Sequence, residues 1–393
     1  MKRTKTIVAN LCRLLLAATF ILSGFVKAVD PLGTQYKLHD YFEAMGMAGM
    51  VPDWATLTAS VLLAAIEFSL GIHMLFAIRR RLMTRVVLAV MVVMTLLTVW
   101  IAIANPVKDC GCFGDAIVLT NMQTLGKNIV LLVCAVVTAR WHALMPRLVS
   151  RSNQWIVRNY SALFVLAVSL ISLYTLPIFD FRPYHTGADI RQGMEIPPGA
   201  KEPEFVTTFI MQKDGQTKEF TLDNYPDSTW QFVDSKTVQT AEGYVPPIHD
   251  ISIQLNATGD DITDEVLSNK GYTFLLIAPY LDRADDSNFG QIDQIYEYAQ
   301  DHKVPFYCLT SSVQKDIDHW TDITGAEYPF CTTDATTLKT MIRSNPGLML
   351  IKDGKVVRKW SHNRLPDTEL MTASLDKLEI GHTPDNGAAT KTL

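Results

Sequence analysis

Five apolar stretches, at about residues 7–26, 56–78, 86–105, 122–140 and 159–179, dominate the first half of this chain of 393 residues. Each is close to the roughly 20 residues that a helix rising about 1.5 Å per residue needs to cross a hydrocarbon layer of about 30 Å. The charges between them alternate. Lys2, Arg3 and Lys5 precede the first stretch. Arg79, Arg80, Arg81 and Arg85 separate the second from the third, and Arg140, Arg147, Arg151 and Arg158 separate the fourth from the fifth. The remaining connections are poor in Lys and Arg. The positive-inside rule therefore puts the N-terminus and the basic connections in the cytoplasm and the C-terminal half outside. A cleavable signal peptide is the rival reading of the first stretch. The apolar run continues to Val26 without a clear small-residue cleavage site, which favours a retained helix.

The two halves differ in composition as well. Residues 1–181 carry 16 Lys+Arg against 8 Asp+Glu, and residues 182–393 carry 19 against 32. A basic apolar half joined to an acidic polar half describes a membrane unit followed by a soluble one. The 48% hydrophobic and 19% charged content excludes a disordered or fibrous chain, and a net charge of -5 gives no reason to expect nucleic acid.

Ionisable side chains inside the spans are the first candidates for chemistry. Glu67 falls near the middle of the second span, with Ser60, Ala64 and Gly71 on its helical face, a small-residue stripe suited to close helix packing. A carboxyl at that depth is either a proton relay or quinone-head partner, or a protonated group bonded to a neighbouring helix. His73 lies near the end of the same span and reads as interfacial. The loop Asp109-Cys110-Gly111-Cys112-Phe113-Gly114-Asp115, between spans three and four, lies outside, where disulfides are permitted. Two cysteines separated by one glycine form a tight pair, and a strained disulfide is readily reduced. Lys108 favours a thiolate there, while Asp109 and Asp115 oppose it. A redox pair, a static structural loop and a metal site all remain open, the last lacking two further ligands. Cys12 and Cys134 lie within spans and read as small apolar residues.

These residues carry a resemblance. Ser23-Gly24-Phe25-Val26-Lys27-Ala28-Val29-Asp30-Pro31, Glu67 and Cys110-Gly111-Cys112-Phe113-Gly114, in that order, resemble the DoxX/MauE membrane family over about residues 5–145. The resemblance implies a redox-associated four-helix unit in a bacterial inner membrane. It implies that Cys110 and Cys112 exchange disulfides with an envelope or periplasmic client, and that electrons pass to a membrane quinone. Glu67 would take the proton, and Lys27 and Asp30 would line the polar interior where such a cofactor is met.

In the second half, Pro183, Pro197, Pro198, Gly199 and Pro203 mark a linker. Phe205–Met211 and Thr217–Leu222 flank an Asp214-Gly215 hairpin signal, and Ile251–Leu255 alternates. From about residue 262 strands and helices alternate: strands at Tyr272–Ala278 and Val304–Thr310, helical patterns at 288–301, near Trp320 and near Met341, a hairpin around Asp353-Gly354, and a last helix around Leu370–Leu378. That order implies a mixed sheet with helices on both faces. It resembles the thioredoxin fold of TlpA-like proteins over about residues 262–380, with a cis bond expected at Asn345–Pro346 and a partner-binding surface around those two residues. The Cys-x-x-Cys of that family is missing, since the corresponding stretch reads Ala278-Pro279-Tyr280-Leu281. Cys308 and Cys331 are the only thiols in this half, and either a structural bridge, two buried thiols or a relocated redox pair is compatible with their positions. His362 reads as a surface residue, and Asp260, Asp261, Asp264 and Glu265 as a solvated loop and helix start.

The expected organisation is a four-helix membrane domain (1–145), a basic cytoplasmic loop with a fifth span (146–181), a linker and β-rich segment (182–261), a thioredoxin-like domain (262–380) and a disordered tail (381–393). Two functions compete: a thiol-redox or maturation factor working through Cys110 and Cys112, and a non-catalytic membrane scaffold, assembled with other membrane subunits, whose thioredoxin-like domain binds partner proteins.

Overall fold

The computed structural model describes residues 2–47, 49–105, 107, 110–200, 204–213, 216–221, 231–241, 244–249, 251–366 and Leu375. Its first part is a helical bundle: α1 (Lys2–Val29), the short α2 (Pro31–Ala44), α3 (Asp53–Leu75), α4 (Arg80–Ala104), α5 (Asn121–Arg140) and α6 (Gln154–Tyr174). All of these except α2 are long and apolar enough to cross a membrane. Helix α1 is the hub, packing on α3, α5 and α6, while α4 leans on α5. The α1–α3 contact is close because glycine makes it so. A Cβ on Gly24 would lie 2.4 Å from the Phe68 backbone nitrogen, and one on Gly71 would lie 2.6 Å from that of Ile21. Ser60, Ala64, Glu67 and Gly71 form one buried face of α3, as their spacing requires. His73, in the last turn of α3, is buried among the helices, with Nδ1 2.7 Å from the Ser69 carbonyl oxygen.

Two features of the bundle depart from the sequence reading. Helix α2 joins the first two spans and packs mainly on α3, capped by the Asp30 side chain, which accepts from Gly33 N at 2.9 Å. The fifth span, α6, stops at Tyr174 instead of running to about 179, because Pro177 cannot continue it and disfavours helical backbone at Leu176.

The second part holds two sheets. Strands β1 (Glu204–Lys213), β2 (Gln216–Thr221) and β3 (Gln231–Ala241) form an antiparallel sheet in the order β2-β1-β3, with Lys213 opposite Gln216. The turn residues Asp214 and Gly215 lie outside the described residues, and β3 has no counterpart in the sequence reading. The larger sheet runs β4-β7-β6-β5-β8-β9, from β4 (Gln254–Leu255), β5 (Tyr272–Ala278), β6 (Phe306–Thr310), β7 (Phe330–Thr332), β8 (Gly347–Lys352) and β9 (Lys355–Ser361). β5, β6 and β7 are parallel neighbours, and β8 and β9 return antiparallel. This mixed sheet with helices on both faces is the thioredoxin-like arrangement. The Asn345–Pro346 peptide before β8 is cis.

Alternation along β5 separates two cores. Phe274 and Leu276 pack with Ile292, Ile295 and Trp320 of α7 (Phe289–Asp301) and α8 (Gln314–Thr324). Leu275 and Ile277 pack with Leu338 and Met341 of α9 (Ala335–Met341) and with Tyr184 and Ile190. The last two residues show that the first part of the stretch 182–204, read as linker, packs on the sheet. Gly187 N donates to the Val356 carbonyl at 2.7 Å and Val356 N to that of Ala188 at 2.9 Å, so this segment covers the β9 edge that would otherwise be open. The same alternation removes the possible Cys308–Cys331 bridge. Cys308 pairs in register with Phe330, so Cys331 is offset by one and its side chain enters the other core; both thiols are free. Of the expected last helix only Leu375 is described, buried in the first core. The expected tail at 381–393 lies outside the described residues.

Candidate functional site

Ser23 and Lys27, four residues apart near the end of α1, present their side chains on one face toward Glu67 of α3. The Lys27 ammonium donates to Glu67 Oε2 at 2.7 Å, to Ser23 Oγ at 2.7 Å and to the Cys112 carbonyl oxygen at 2.8 Å. All three protons are thereby used. Ser23 Oγ is in turn 2.7 Å from Glu67 Oε2 and 2.6 Å from the Cys112 carbonyl oxygen, and its one proton serves them alternately. The pair is secluded, with Lys27 and Glu67 side chains 5% and 8% exposed. Glu67 is thus bonded to the neighbouring helix α1, through a lysine and a serine.

This network carries the cysteine loop. Lys27 holds it at Cys112, and Tyr41 of α2 donates from its hydroxyl to the Cys110 carbonyl at 2.8 Å. Gly111 at φ +65° and Gly114 at φ +51° allow the chain to turn back between those anchors. The two sulfurs lie 2.8 Å apart. They are electrostatically unequal. The hydrogen bond from Cys110 lowers the Cys112 thiol, and the Lys127 and Lys27 ammoniums add to this against burial and Glu67. Cys110 is raised by the same hydrogen bond and by burial. A dithiol with one stabilised thiolate is the form that attacks a disulfide or an electrophile. Cys112 also borders a cavity of about 40 Å³ between α1, α4 and α5, lined by Phe20, Met91, Met94, Lys127 and Leu131.

Asp30 does not join this cluster. Its carboxylate accepts from Arg343 Nε at 3.0 Å at both oxygens, with Arg343 Nη2 2.9 Å from Oδ2. Burial raises Asp30, and Arg343 outweighs it, leaving the group below the usual carboxylate range. Arg343 Nη2 also lies 3.4 Å from Asp115, and the guanidinium covers the Tyr36 ring. One side chain of the α/β domain, just before the cis-proline loop, therefore grips both the α1–α2 junction and the end of the cysteine loop. Asp180 forms a second clasp, accepting from Arg182 Nε and Lys359 Nζ, each at 2.7 Å. Burial and the nearby Arg182 push Lys359 down to about 7 against the pull of Asp180.

The cis-proline face looks onto the bundle across a cleft of about 660 Å³. Pro279, Tyr280, Ser344 and Asn345 form one wall, and Tyr36, His39 and Trp54 the other. A neighbouring cavity of about 220 Å³ shares Tyr36, Asp40 and Lys339 with it and reaches Gly111. Asn345 Nδ2 donates to the Tyr280 carbonyl at 2.7 Å. His362 is tied down too, with Nδ1 3.0 Å from Ser344 Oγ. Among the described residues no group of three or more His, Cys, Asp or Glu is placed to hold a metal.

The comparisons with known proteins agree with the bundle. Residues 5–140 match the family of methylamine utilisation protein MauE. That stretch spans α1 to α5 and contains every residue of the Lys27–Glu67–cysteine network, so the network lies wholly within the MauE-like unit. Residues 205–242 match a domain family of unknown function. No curated protein matches the chain. A solution structure titled as a putative protein disulfide isomerase from Bacteroides thetaiotaomicron is 14% identical, covering 33% of this chain and 86% of that one with a TM-score of 0.26.

Sequence reasoning missed Lys127, Tyr41 and Arg343. Lys127 gave a usable signal, because a lysine inside an otherwise apolar span is as conspicuous as Glu67. Tyr41 and Arg343 gave none, since their partners lie 69 and 313 residues away.

Proposed function

We propose that the protein is an envelope thiol–disulfide oxidoreductase of the bacterial inner membrane, with Cys110 and Cys112 as the exchanging pair. The observation that carries this reading is the juxtaposition of two sulfurs at 2.8 Å over the buried Lys27–Glu67 pair, with Cys112 favoured as the thiolate. In the first half-reaction a client dithiol reduces the Cys110–Cys112 disulfide. One client thiolate attacks a loop sulfur, the loop S–S bond breaks, and the second client thiol resolves the mixed disulfide, leaving a client disulfide and two loop thiols. In the second half-reaction the loop dithiol gives two electrons and two protons to a membrane quinone, reforming its S–S bond as the quinone becomes quinol. Lys27 and Lys127 stabilise the Cys112 thiolate, and Glu67 with Ser23 offers a route for its proton. The α/β domain, which lacks a dithiol of its own, holds the client in the cleft beside Asn345 and Pro346. The orientation follows from the positive-inside rule, with the loop and the domain periplasmic.

A scaffold that only binds partners is the second reading, favoured by the missing Cys-x-x-Cys. One experiment separates the two. Single Cys110→Ser and Cys112→Ser variants, alkylated in intact membranes, should accumulate mixed disulfides with envelope proteins, and the double variant should form none. Unchanged thiol states in all three variants would leave the scaffold reading standing alone. A reduced, purified wild type should also regain its disulfide when a water-soluble quinone is added, with stoichiometric quinol.

A further inference from the structure

At the end of the bundle opposite the cysteine loop, two connections converge on one open crevice of about 550 Å³. The α3–α4 connection and the start of α4 bring Arg79, Arg80, Arg81 and Arg85, and the segment after α5 brings His142 and Arg147. The sequence supplies nothing to neutralise them. Residues 1–29, 68–108 and 116–179 contain no Asp or Glu at all. Glu67 precedes Arg79 by 12 residues, about 18 Å of helix, and is already paired with Lys27. The crevice also sits at the N-terminus of a 25-residue helix whose first turn holds no acid. The helix dipole makes that end positive, so arginines at its first positions are unfavourable unless an anion joins them. Topology accounts for a surplus of basic residues on one side. It does not account for five arginines from two separate connections closing on a single crevice with a helix N-terminus at its edge.

We infer that this crevice is a binding site for a phosphate group, one lying at membrane depth where the phosphate of an anionic phospholipid headgroup is at hand. Arginine's planar fork suits phosphate oxygens, and basic pockets between membrane helices recognise anionic headgroups. Arg80 has a structural share in the site, since Nη1 bonds the Met145 carbonyl and so ties the second connection to the first. Arg79, Arg81, Arg85 and Arg147 are exposed and present their guanidiniums to the crevice. The site is independent of the thiol chemistry at the other end.

The test uses the full chain, purified and placed in nanodiscs of phosphatidylglycerol or of phosphatidylcholine, and in a parallel arm in lipid-free detergent with inorganic phosphate. Phosphatidylglycerol retained by the protein is read by native mass spectrometry. Arg81→Gln with Arg147→Gln should weaken retention by about tenfold or more, at about 1 kcal/mol per basic residue near an anionic surface. Arg140→Gln with Arg151→Gln, basic positions outside the crevice, should retain it. Binding confined to the nanodisc arm names the lipid as source, and binding of inorganic phosphate in detergent, lost with the same double variant, names the free anion. The melting temperature of the wild type gives a second readout, higher in phosphatidylglycerol than in phosphatidylcholine. Equal losses in the two double variants, equal retention of both lipids, or no response in either arm overturns the site.

Discussion

Lys27 does with one ammonium group what usually takes several residues: it neutralises Glu67, orients Ser23 and anchors the Cys112 carbonyl. The loop is thereby held by its backbone, leaving its sulfurs free for chemistry. The inequality of those sulfurs is measurable. A thiolate forms above the pKa of its thiol, so a lowered group reacts at lower pH. In the reduced protein Cys112 should be alkylated at a pH below that of an ordinary thiol, and Cys110 only well above it. Peptide mass spectrometry across pH reads both, and Lys127→Met should move the Cys112 curve upward. Coincident curves for the two cysteines would mean that the charges around the loop do not act as described. At this scale the sequence was partly legible. Glu67 and the cysteines announced themselves by type and setting, and the partner of Glu67 lay within a motif already singled out, yet no local pattern could say that Lys27 faces Glu67 while Asp30, three residues on, faces away.

Among the elements, the spans were readable because 20 apolar residues admit few alternatives, and β5 because its run Tyr272–Ala278 is buried on both faces. Helix α2 was not, since its 14 residues have no strong apolar stripe and only its Asp30-Pro31 start is a signal. Strand β7 was not, being three residues long. The α1–α3 contact belongs to this scale and makes a prediction. Gly24→Leu puts a side chain where the Phe68 backbone already lies, so the helices must part, at about 1–3 kcal/mol or more. Its melting temperature in detergent should fall, while Gly126→Ala, whose Cβ would meet nothing within 4 Å, should not lower it. Because Lys27 and Glu67 sit across the same contact, Gly24→Leu should also disturb the alkylation behaviour of Cys112.

For the whole molecule the decisive contact is Arg343 with Asp30, 6% and 18% exposed. Removing one partner of a buried, hydrogen-bonded pair costs about 3–5 kcal/mol, because the other charge is left without compensation. Arg343→Ala should therefore loosen the α/β domain from the bundle, exposing the 175–183 connection to limited proteolysis while each part stays folded. An undiminished resistance to protease would show that the Asp180 clasp, with the bond from Asn363 Nδ2 to the Tyr174 carbonyl at 2.9 Å, suffices without it. This docking was invisible in the sequence: a boundary between a basic and an acidic half suggested two independent units, and only the fold brings the cis-proline loop to the cysteine loop. The separation of 313 residues between Asp30 and Arg343 has a consequence for biogenesis. A ribosome releases Asp30 313 residues before Arg343, so while the intervening chain is made the inserted bundle carries a carboxylate at its α1–α2 junction that still lacks its arginine. Only a chain that has reached Arg343 can silence that charge, which makes the clasp a built-in signature by which a product cut short before it differs from one that contains it.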